Sequence, residues 1–290
     1  MPAPFRDDLR ARYGDWALVT GASSGIGKAF ALVFGRLGMN TILLSNDAAG
    51  LGQTRQEILA GNPNLEVLCR AIDLTGIDAL RSYLRSAETD KVRIVANCAG
   101  IGYAGHTLNG NLDDFLQMAN LNALAVLVIS YHFAAAFSRA DAAGAIINVS
   151  TANVEAGLPT PFSAVYTSLK SFVKFFTESL AYEMRPYAVD IINVACGPTA
   201  TGFQGHAGTR RLAWSESAES VAIKALKRLG RTTTVVTNPV SRVTIFLARW
   251  LPLPRQTKIR LAAAYFGTLL GRGQRMTLEK HAGVTSGPPR

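Results

Sequence analysis

The chain has 290 residues, 48% of them apolar and only 17% charged, which excludes an intrinsically disordered protein and supplies material for one sizeable core. Its net charge of +10 is unevenly placed, because residues 241–290 hold nine Lys/Arg and one acid, Glu279, and so carry +8 of it. Cys69, Cys98 and Cys196 are far apart and His106, His132, His206 and His281 show no ligand spacing, so no metal site is expected and the thiols read as buried in a reducing compartment.

The first ten residues lack the apolar core of a signal peptide, so a cytoplasmic protein is expected. Residues 15–20, Asp15-Trp16-Ala17-Leu18-Val19-Thr20, read as a short buried strand. A glycine-rich turn follows, Gly21-Ala22-Ser23-Ser24-Gly25-Ile26-Gly27, and residues 26–34 have the apolar recurrence of a helix. Gly21 and Gly25 permit a sharp turn and Gly27 a close approach of helix to strand, which leaves the helix N-terminus facing an anion. The spacing is G-x-x-x-G-x-G, and the turn offers a place for a dinucleotide pyrophosphate.

Further strand-like runs at residues 40–45, 65–70, 92–96, 145–149 and 189–194 alternate with helical stretches. This alternation predicts an α/β fold, a doubly wound, Rossmann-like parallel sheet in a single domain. Asn97 and Ser150 then fall at carboxyl ends of strands, where ligands bind in such sheets. Residues 112–137 are nearly uncharged but broken by Asp113, Asp114, Asn120, Asn122 and His132, and read as a long buried helix rather than a membrane span.

Tyr166 and Lys170 stand four apart on a helix expected over residues 162–185, which stops at Pro186. Residues i and i+4 share a helix face, so the ammonium can sit near the phenol and draw its pKa down from about 10 toward working pH. Such a tyrosine can protonate an alkoxide formed as hydride reaches a carbonyl, or take the proton in reverse. Alone, Y-x-x-x-K is a chance pattern on many helices. Downstream of the glycine turn it points to hydride transfer between a nicotinamide and a carbonyl or alcohol.

On these motifs the chain resembles the short-chain dehydrogenase/reductase family, from about Tyr13 to Thr201. The resemblance implies an Asn, Ser, Tyr and Lys tetrad, of which Tyr166 and Lys170 match the last two. Lys170 would also hold the nicotinamide ribose. Asn120, in Asn120-Leu121-Asn122, matches the asparagine that keeps a relay water, with Asn122 one register away. Asn97-Cys98-Ala99-Gly100 stands where the family has Asn-Asn-Ala-Gly. Asp73 matches the carboxylate that meets the adenine ring. Cys196-Gly197-Pro198-Thr199-Ala200-Thr201 resembles the stretch flanking the nicotinamide, with Cys196 replacing proline. The family's serine lies thirteen residues before the tyrosine, which here is Asn153. The motif itself, Asn148-Val149-Ser150-Thr151, places Thr151 at that position with Ser150 as alternate, so the segment before Tyr166 is about two residues longer than usual. The resemblance thus implies cofactor contacts from Gly21, Ser23, Ser24, Gly25, Ile26, Gly27, Asn46, Asp73, Asn97, Ala99, Gly100, Tyr166, Lys170, Gly197, Thr199 and Thr201.

Tyr13-Gly14-Asp15-Trp16 and Leu158-Pro159-Thr160-Pro161 are similar to a branch holding very-long-chain 3-oxoacyl-CoA reductases, 17β-hydroxysteroid dehydrogenases and bacterial relatives. That implies a lipid-like ketone or secondary alcohol as substrate, acyl chain or steroid. Cofactor choice hangs on the end of the second strand, Ser45-Asn46-Asp47. An acid at Asn46 would bind the ribose hydroxyls of NAD(H), and the branch's arginine there would clamp the phosphate of NADP(H). The missing acid and the branch resemblance favour NADP(H) over NAD(H). The resemblance also implies a homo-oligomer built through the helices over residues 112–137 and 162–185.

Residues 1–240 are expected to form the catalytic domain and residues 241–290 a basic, partly helical extension rather than an independent domain. The extension mixes arginines with apolar clusters around Phe246 and Phe266, so it reads as a cover on the main domain or as a peripheral membrane contact, and not as a nucleic-acid site. Residues 281–290 are expected to be a loose terminus. A dinucleotide-binding regulator or a membrane-recruited scaffold on the same fold is the competing function. The displaced hydroxyl and Cys196 motivate it, and the paired Tyr166 and Lys170 oppose it.

Overall fold

A computed structural model describes residues 9–209 and 212–270 of the chain. The expectation for residues 281–290 therefore lies outside the described residues. Seven parallel strands make one sheet in the order β3-β2-β1-β4-β5-β6-β7. They are β1 (Trp16–Thr20), β2 (Asn40–Ser45), β3 (Val67–Ala71), β4 (Ile94–Asn97), β5 (Gly144–Thr151), β6 (Val189–Cys196) and β7 (Thr234–Val236). Six of them were expected from the sequence. The edge strand β7 was not, because three residues carry no period that can be told from a loop.

Helices cover both faces, as strands buried on both sides demand. On one face lie α1 (Gly25–Arg36), α2 (Ala48–Gly61) and, near the far edge, α8 (Ala218–Arg228). Phe30, Phe34, Leu51, Ile58, Val221 and Leu226 fill the space between them and the sheet. The other face carries α3 (Ile77–Leu84), the helix α4 (Leu112–Ala119) continuing through a π turn (Asn120–Leu124) into α5 (Ala125–Ala140), and α6 (Ala164–Glu183). Leu80, Leu84, Ile129, Phe133, Phe137, Ala181 and Met184 pack there. The stretch Leu112–Ala140 is long and apolar enough to cross a membrane, yet half of its most apolar window is buried inside the fold. It works as a core helix, as its buried Met118, Asn122, Val126, Ile129 and Phe133 indicate.

Two short segments remain over the carboxyl ends of the strands: a 3₁₀ turn (Ala152–Ala156) after β5 and the one-turn α7 (Phe203–His206) after β6. Then come α9 (Pro239–Trp250) and α10 (Arg255–Leu269). The segment between β5 and Tyr166 opens with this 3₁₀ turn, which gives α9 a surface to pack on. Glu155 of that turn pairs with Lys174 Nζ at 3.0 Å and accepts from Asn193 Nδ2 at 3.1 Å, both carboxylate oxygens largely shielded from water.

The middle of the sheet is tied by a buried polar network. Asn97 Nδ2 donates to Asn148 Oδ1 at 2.8 Å and to Ser130 Oγ at 3.2 Å, and Asn148 Nδ2 donates to Thr177 Oγ1 at 3.0 Å. One chain of side chains thus joins β4, β5, α5 and α6. Asn97 was expected to meet the cofactor. Its side chain is instead committed to this network, because the pleat turns it toward α5 and α6 and not toward the crevice. Asn148 is fully buried, so Asn148→Ala strands donors and acceptors away from water. We expect a loss of about 2–4 kcal/mol in urea unfolding, with the far-UV spectrum of the folded form unchanged.

Candidate active site

Strand order reverses between β1 and β4, and there the chain folds most tightly. Thr20 Oγ1 accepts from the backbone N–H groups of Cys98 (3.0 Å) and Ala99 (3.1 Å), which pulls the loop after β4 against the glycine turn. Gly21 has φ +65°, and a Cβ on it would lie 2.9 Å from Ala99 Cα. Gly27 is closer still, since a Cβ there would be 2.2 Å from the Gly21 carbonyl oxygen. No side chain caps α1: Ser24 takes the N-cap position with extended backbone and makes no cap bond. Its first amides, at Gly25, Ile26 and Gly27, are left for an anion. Gly25, with φ +55°, would bring a Cβ to 3.3 Å from Thr201 Cγ2, so the loop after β6 closes the cradle from the other side. A cradle lined by backbone amides and barred to side chains fits a dinucleotide pyrophosphate.

The end of β2 lies beside this turn. Ser23 Oγ and Ser45 Oγ are 3.0 Å apart. Asn46 is exposed, and Asp47 caps α2, its Oδ1 accepting from Gly50 N at 3.0 Å. Asp73, beyond β3, is exposed and holds a tight turn by accepting from Thr75 N and Thr75 Oγ1. Thr199 is buried and donates to the Gly197 carbonyl at 2.9 Å. Gly197 has no room for a side chain, because a Cβ would meet Asn238 Cβ at 2.5 Å. Thr201 Oγ1 accepts from Phe203 N at 3.3 Å and so starts α7.

Tyr166 and Lys170 lie in the first two turns of α6, beneath the ends of β4 and β5. Lys170 is 5% exposed and donates to the Val149 carbonyl at 2.9 Å. Burial lowers its pKa to about 8. Burial pushes the Tyr166 phenol upward, helped by Cys196. The dominant influence on the phenol in the free protein is its withdrawal from water, which acts against the lowering expected from Lys170. Cys196, at the end of β6, is raised to about 12 by burial and then by Glu216, so it is a neutral thiol. Cys98 is likewise held neutral by burial.

The asparagine beside this pair is Asn122 and not the expected Asn120. Asn122 is fully buried; its Oδ1 accepts from Ile101 N at 3.0 Å and its Nδ2 donates to the Ile101 carbonyl at 2.7 Å. A Cβ on Gly100 would stand 3.1 Å from Asn122 Oδ1 and 3.5 Å from Lys170 Nζ, so the two side chains flank the same point of the loop. Two residues along a helix turn a side chain through roughly half a revolution, which takes Asn120 out of this position. A sequence signal was present: Asn122 falls on the apolar stripe of Met118, Val126 and Ile129, and Asn120 does not.

Ser150 and Thr151 end β5. Ser150, sharing the pleat face of Asn148, is 2% exposed, and its Oγ has no hydrogen-bond partner among the described residues. Thr151 is the last residue of the strand, also buried. Phe203 of α7, unmarked by the sequence reading, covers Tyr166 with ring centroids 5.7 Å apart. It also fills the space over Gly102, where a Cβ would meet its ring at 2.6 Å. Phe162 carries a positive φ of 65° and accepts from Gly105 N at 2.7 Å, fixing the rim of the same crevice.

A nucleotide cradle and a tyrosine–lysine pair thus meet at the switch point of one sheet. Residues 15–211 match the family model for short chain dehydrogenases, and the chain belongs to that family of oxidoreductases, which act on small molecules with a nucleotide cofactor. It is 30% identical over 202 residues to a very-long-chain 3-oxoacyl-CoA reductase of Caenorhabditis elegans, covering 67% of this chain and 63% of that protein. It is 25% identical over 247 residues to a 7beta-hydroxysteroid dehydrogenase of Mediterraneibacter gnavus, covering 82% of this chain and 91% of that one. The chain therefore spans somewhat under two thirds of the length of the 3-oxoacyl-CoA reductases it matches. Among solved structures, one from a study of 7beta-hydroxysteroid dehydrogenase stereoselectivity superposes with TM-score 0.77 at 22% identity, over 88% of this chain and 98% of that one. A short-chain dehydrogenase from Sphingobium yanoikuyae in complex with NADPH gives TM-score 0.70 at 25% identity, over 80% and 92%.

The depressed pKa of Lys170 has a signed consequence. In the folded protein the ammonium is lost as pH rises through about 8, whereas the unfolded chain keeps it to its usual 10.5, so the penalty of burying the charge applies below about 8 and fades above it. An anionic dinucleotide is drawn to the charged form. Its dissociation constant, followed by calorimetry, is expected to rise severalfold from pH 7 to pH 9.5, and the Lys170→Met variant to show a flat profile.

Proposed function

We propose that the protein is a reductase of lipid-like ketones, or a dehydrogenase of the matching secondary alcohols, that prefers NADP(H). The observation that carries this reading is the meeting of Tyr166, Lys170 and Asn122 under Phe203, next to the glycine cradle. When bound, the nicotinamide supplies or accepts the hydride. The chain's own part is to place the substrate oxygen and move one proton. Tyr166, kept protonated by burial, is the acid toward a ketone oxygen. Lys170 holds the ribose and steadies the phenolate left when Tyr166 gives up its proton. Asn122 takes the relay role expected of Asn120, its amide locked on Ile101. Thr151, at the end of β5, donates to the substrate oxygen, with Ser150, whose buried Oγ has no partner among the described residues, as the alternate.

The NADP(H) preference rests on β2. Asn46 brings no negative charge to the ribose, and the one carboxylate nearby, Asp47, is turned into the cap of α2. A lipid-like substrate is suggested by the aromatic cover of the crevice and by what the relatives are named for.

The test is oxidation of NADPH and NADH against a panel of 3-oxoacyl thioesters and ketosteroids. NADPH should support turnover at lower concentration than NADH, and Tyr166→Phe should cut kcat by about 10²-fold or more with nucleotide affinity kept. Tight nucleotide binding without turnover of any ketone would point instead to a dinucleotide-binding regulator.

We also infer a homo-oligomer through α4, α5 and α6, whose outer faces expose Leu112, Leu116, Tyr131, Phe172, Phe175 and Tyr182. Light scattering should give a mass at least twice that of one 31.0 kDa chain, and Phe175→Glu with Tyr182→Glu should return it to a monomer.

A further inference from the structure

The helix α9 is attached to the body by its thin side. Of its residues only Ser241 is buried, with Ile245 and Ala248 half-buried beside it. Its large apolar residues point the other way: Val240, Val243, Phe246, Leu247 and Trp250, with Leu251 just beyond, are all exposed, Phe246 at 61% and Trp250 at 68%. At about 100° per residue these six side chains fall within roughly 140° of arc, opposite the packed side. A globular helix normally does the reverse and buries its wide apolar face.

The charge around this face has one sign. Residues 239–270 contain Arg242, Arg249, Arg255, Lys258 and Arg260 and no Asp or Glu. Arg242 and Arg249 lie together just outside one edge of the apolar arc and not within it. The next helix, α10, buries none of its residues and exposes Leu261 and Tyr265 on one side. It is fastened at its far end, where Leu270 is 1% exposed and bridges to Thr209, just after α7. There a Cβ on Gly267 would reach the ring of Phe162, on the rim of the crevice, at 4.0 Å.

We propose that α9 and α10 form a docking face for an anionic membrane surface, with Phe246, Trp250 and Leu247 seated at the acyl boundary and the arginines and Lys258 on the headgroups. The chemistry selects this occupant. Two exposed aromatics on a helix with cations along one edge, in a stretch free of acids, match an interfacial helix, in which apolar burial and attraction to acidic lipid add together. A second copy seated on the same face would bring like charges together with no carboxylate to answer them. The face stands independently of the substrate reading. If that reading holds, the fastening at Thr209 and Phe162 sets the crevice rim next to the surface from which a lipid-like substrate would come.

The experiment is co-sedimentation of the full chain with phosphatidylcholine vesicles, with and without phosphatidylserine. Wild type should pellet with the phosphatidylserine vesicles and much less with phosphatidylcholine alone. Phe246→Ser with Trp250→Ser should weaken that partition by about tenfold or more, and Arg249→Glu with Arg255→Glu should do the same while leaving the aromatics in place. All four side chains are exposed, so nucleotide affinity should be unchanged; if one double variant fails to fold, the other still decides. A wild-type chain that stays in the supernatant, or that pellets equally with both vesicles, would overturn the proposal. A drop in mass by light scattering for the Phe246/Trp250 variant would overturn it in favour of a second copy.

Discussion

Everything in the site depends on how closely the turn after β1 approaches the loop after β4. Thr20 Oγ1 holds the amides of Cys98 and Ala99, and Gly21 lies where any side chain would strike the Ala99 backbone. This contact sets the two walls of the crevice at the sheet's switch point. It leaves the amides at the start of α1 facing the opening with no side-chain cap of their own. Ala99 and Gly100 then bring the loop to Asn122 and Lys170, so nucleotide cradle and proton-handling pair are held by one short stretch of chain.

The second constraint is electrostatic. Lys170 and Tyr166 are both drawn out of water, which lowers the one pKa and raises the other and keeps a neutral phenol beside a weakened ammonium. Cys98 and Cys196, held as neutral thiols by desolvation, add little charge to this environment. The π turn in the long helix belongs to the same design. It sits where Asn122 locks onto Ile101, at the kind of place where wide turns interrupt a helix to aim a side chain.

The segment before Tyr166 joins the two ends of the molecule. It opens with the 3₁₀ turn that carries Glu155 inward to Lys174 and Asn193 and gives α9 its seat. Beyond α9 the chain returns along α10 to Thr209, so these two helices lie beside the crevice rim.

Much of this was legible in the chain by itself. Glycines at Gly21, Gly25 and Gly27 have one common explanation, and apolar runs alternating with helical ones lead to a parallel sheet, because these are local properties of the backbone and of hydrophobic period. Tyr166 and Lys170 were legible for the same reason, four residues being one turn of helix. Tertiary structure decided the rest. Asn122 rather than Asn120 faces Lys170 because helix phase is set by which stripe the core buries. Asn97 turns to Asn148 and away from the crevice because pleat and neighbouring strand fix its direction. Phe203 covers Tyr166, and Tyr166 keeps its proton, because contacts across dozens of residues and the exclusion of water come into being only when the chain is packed.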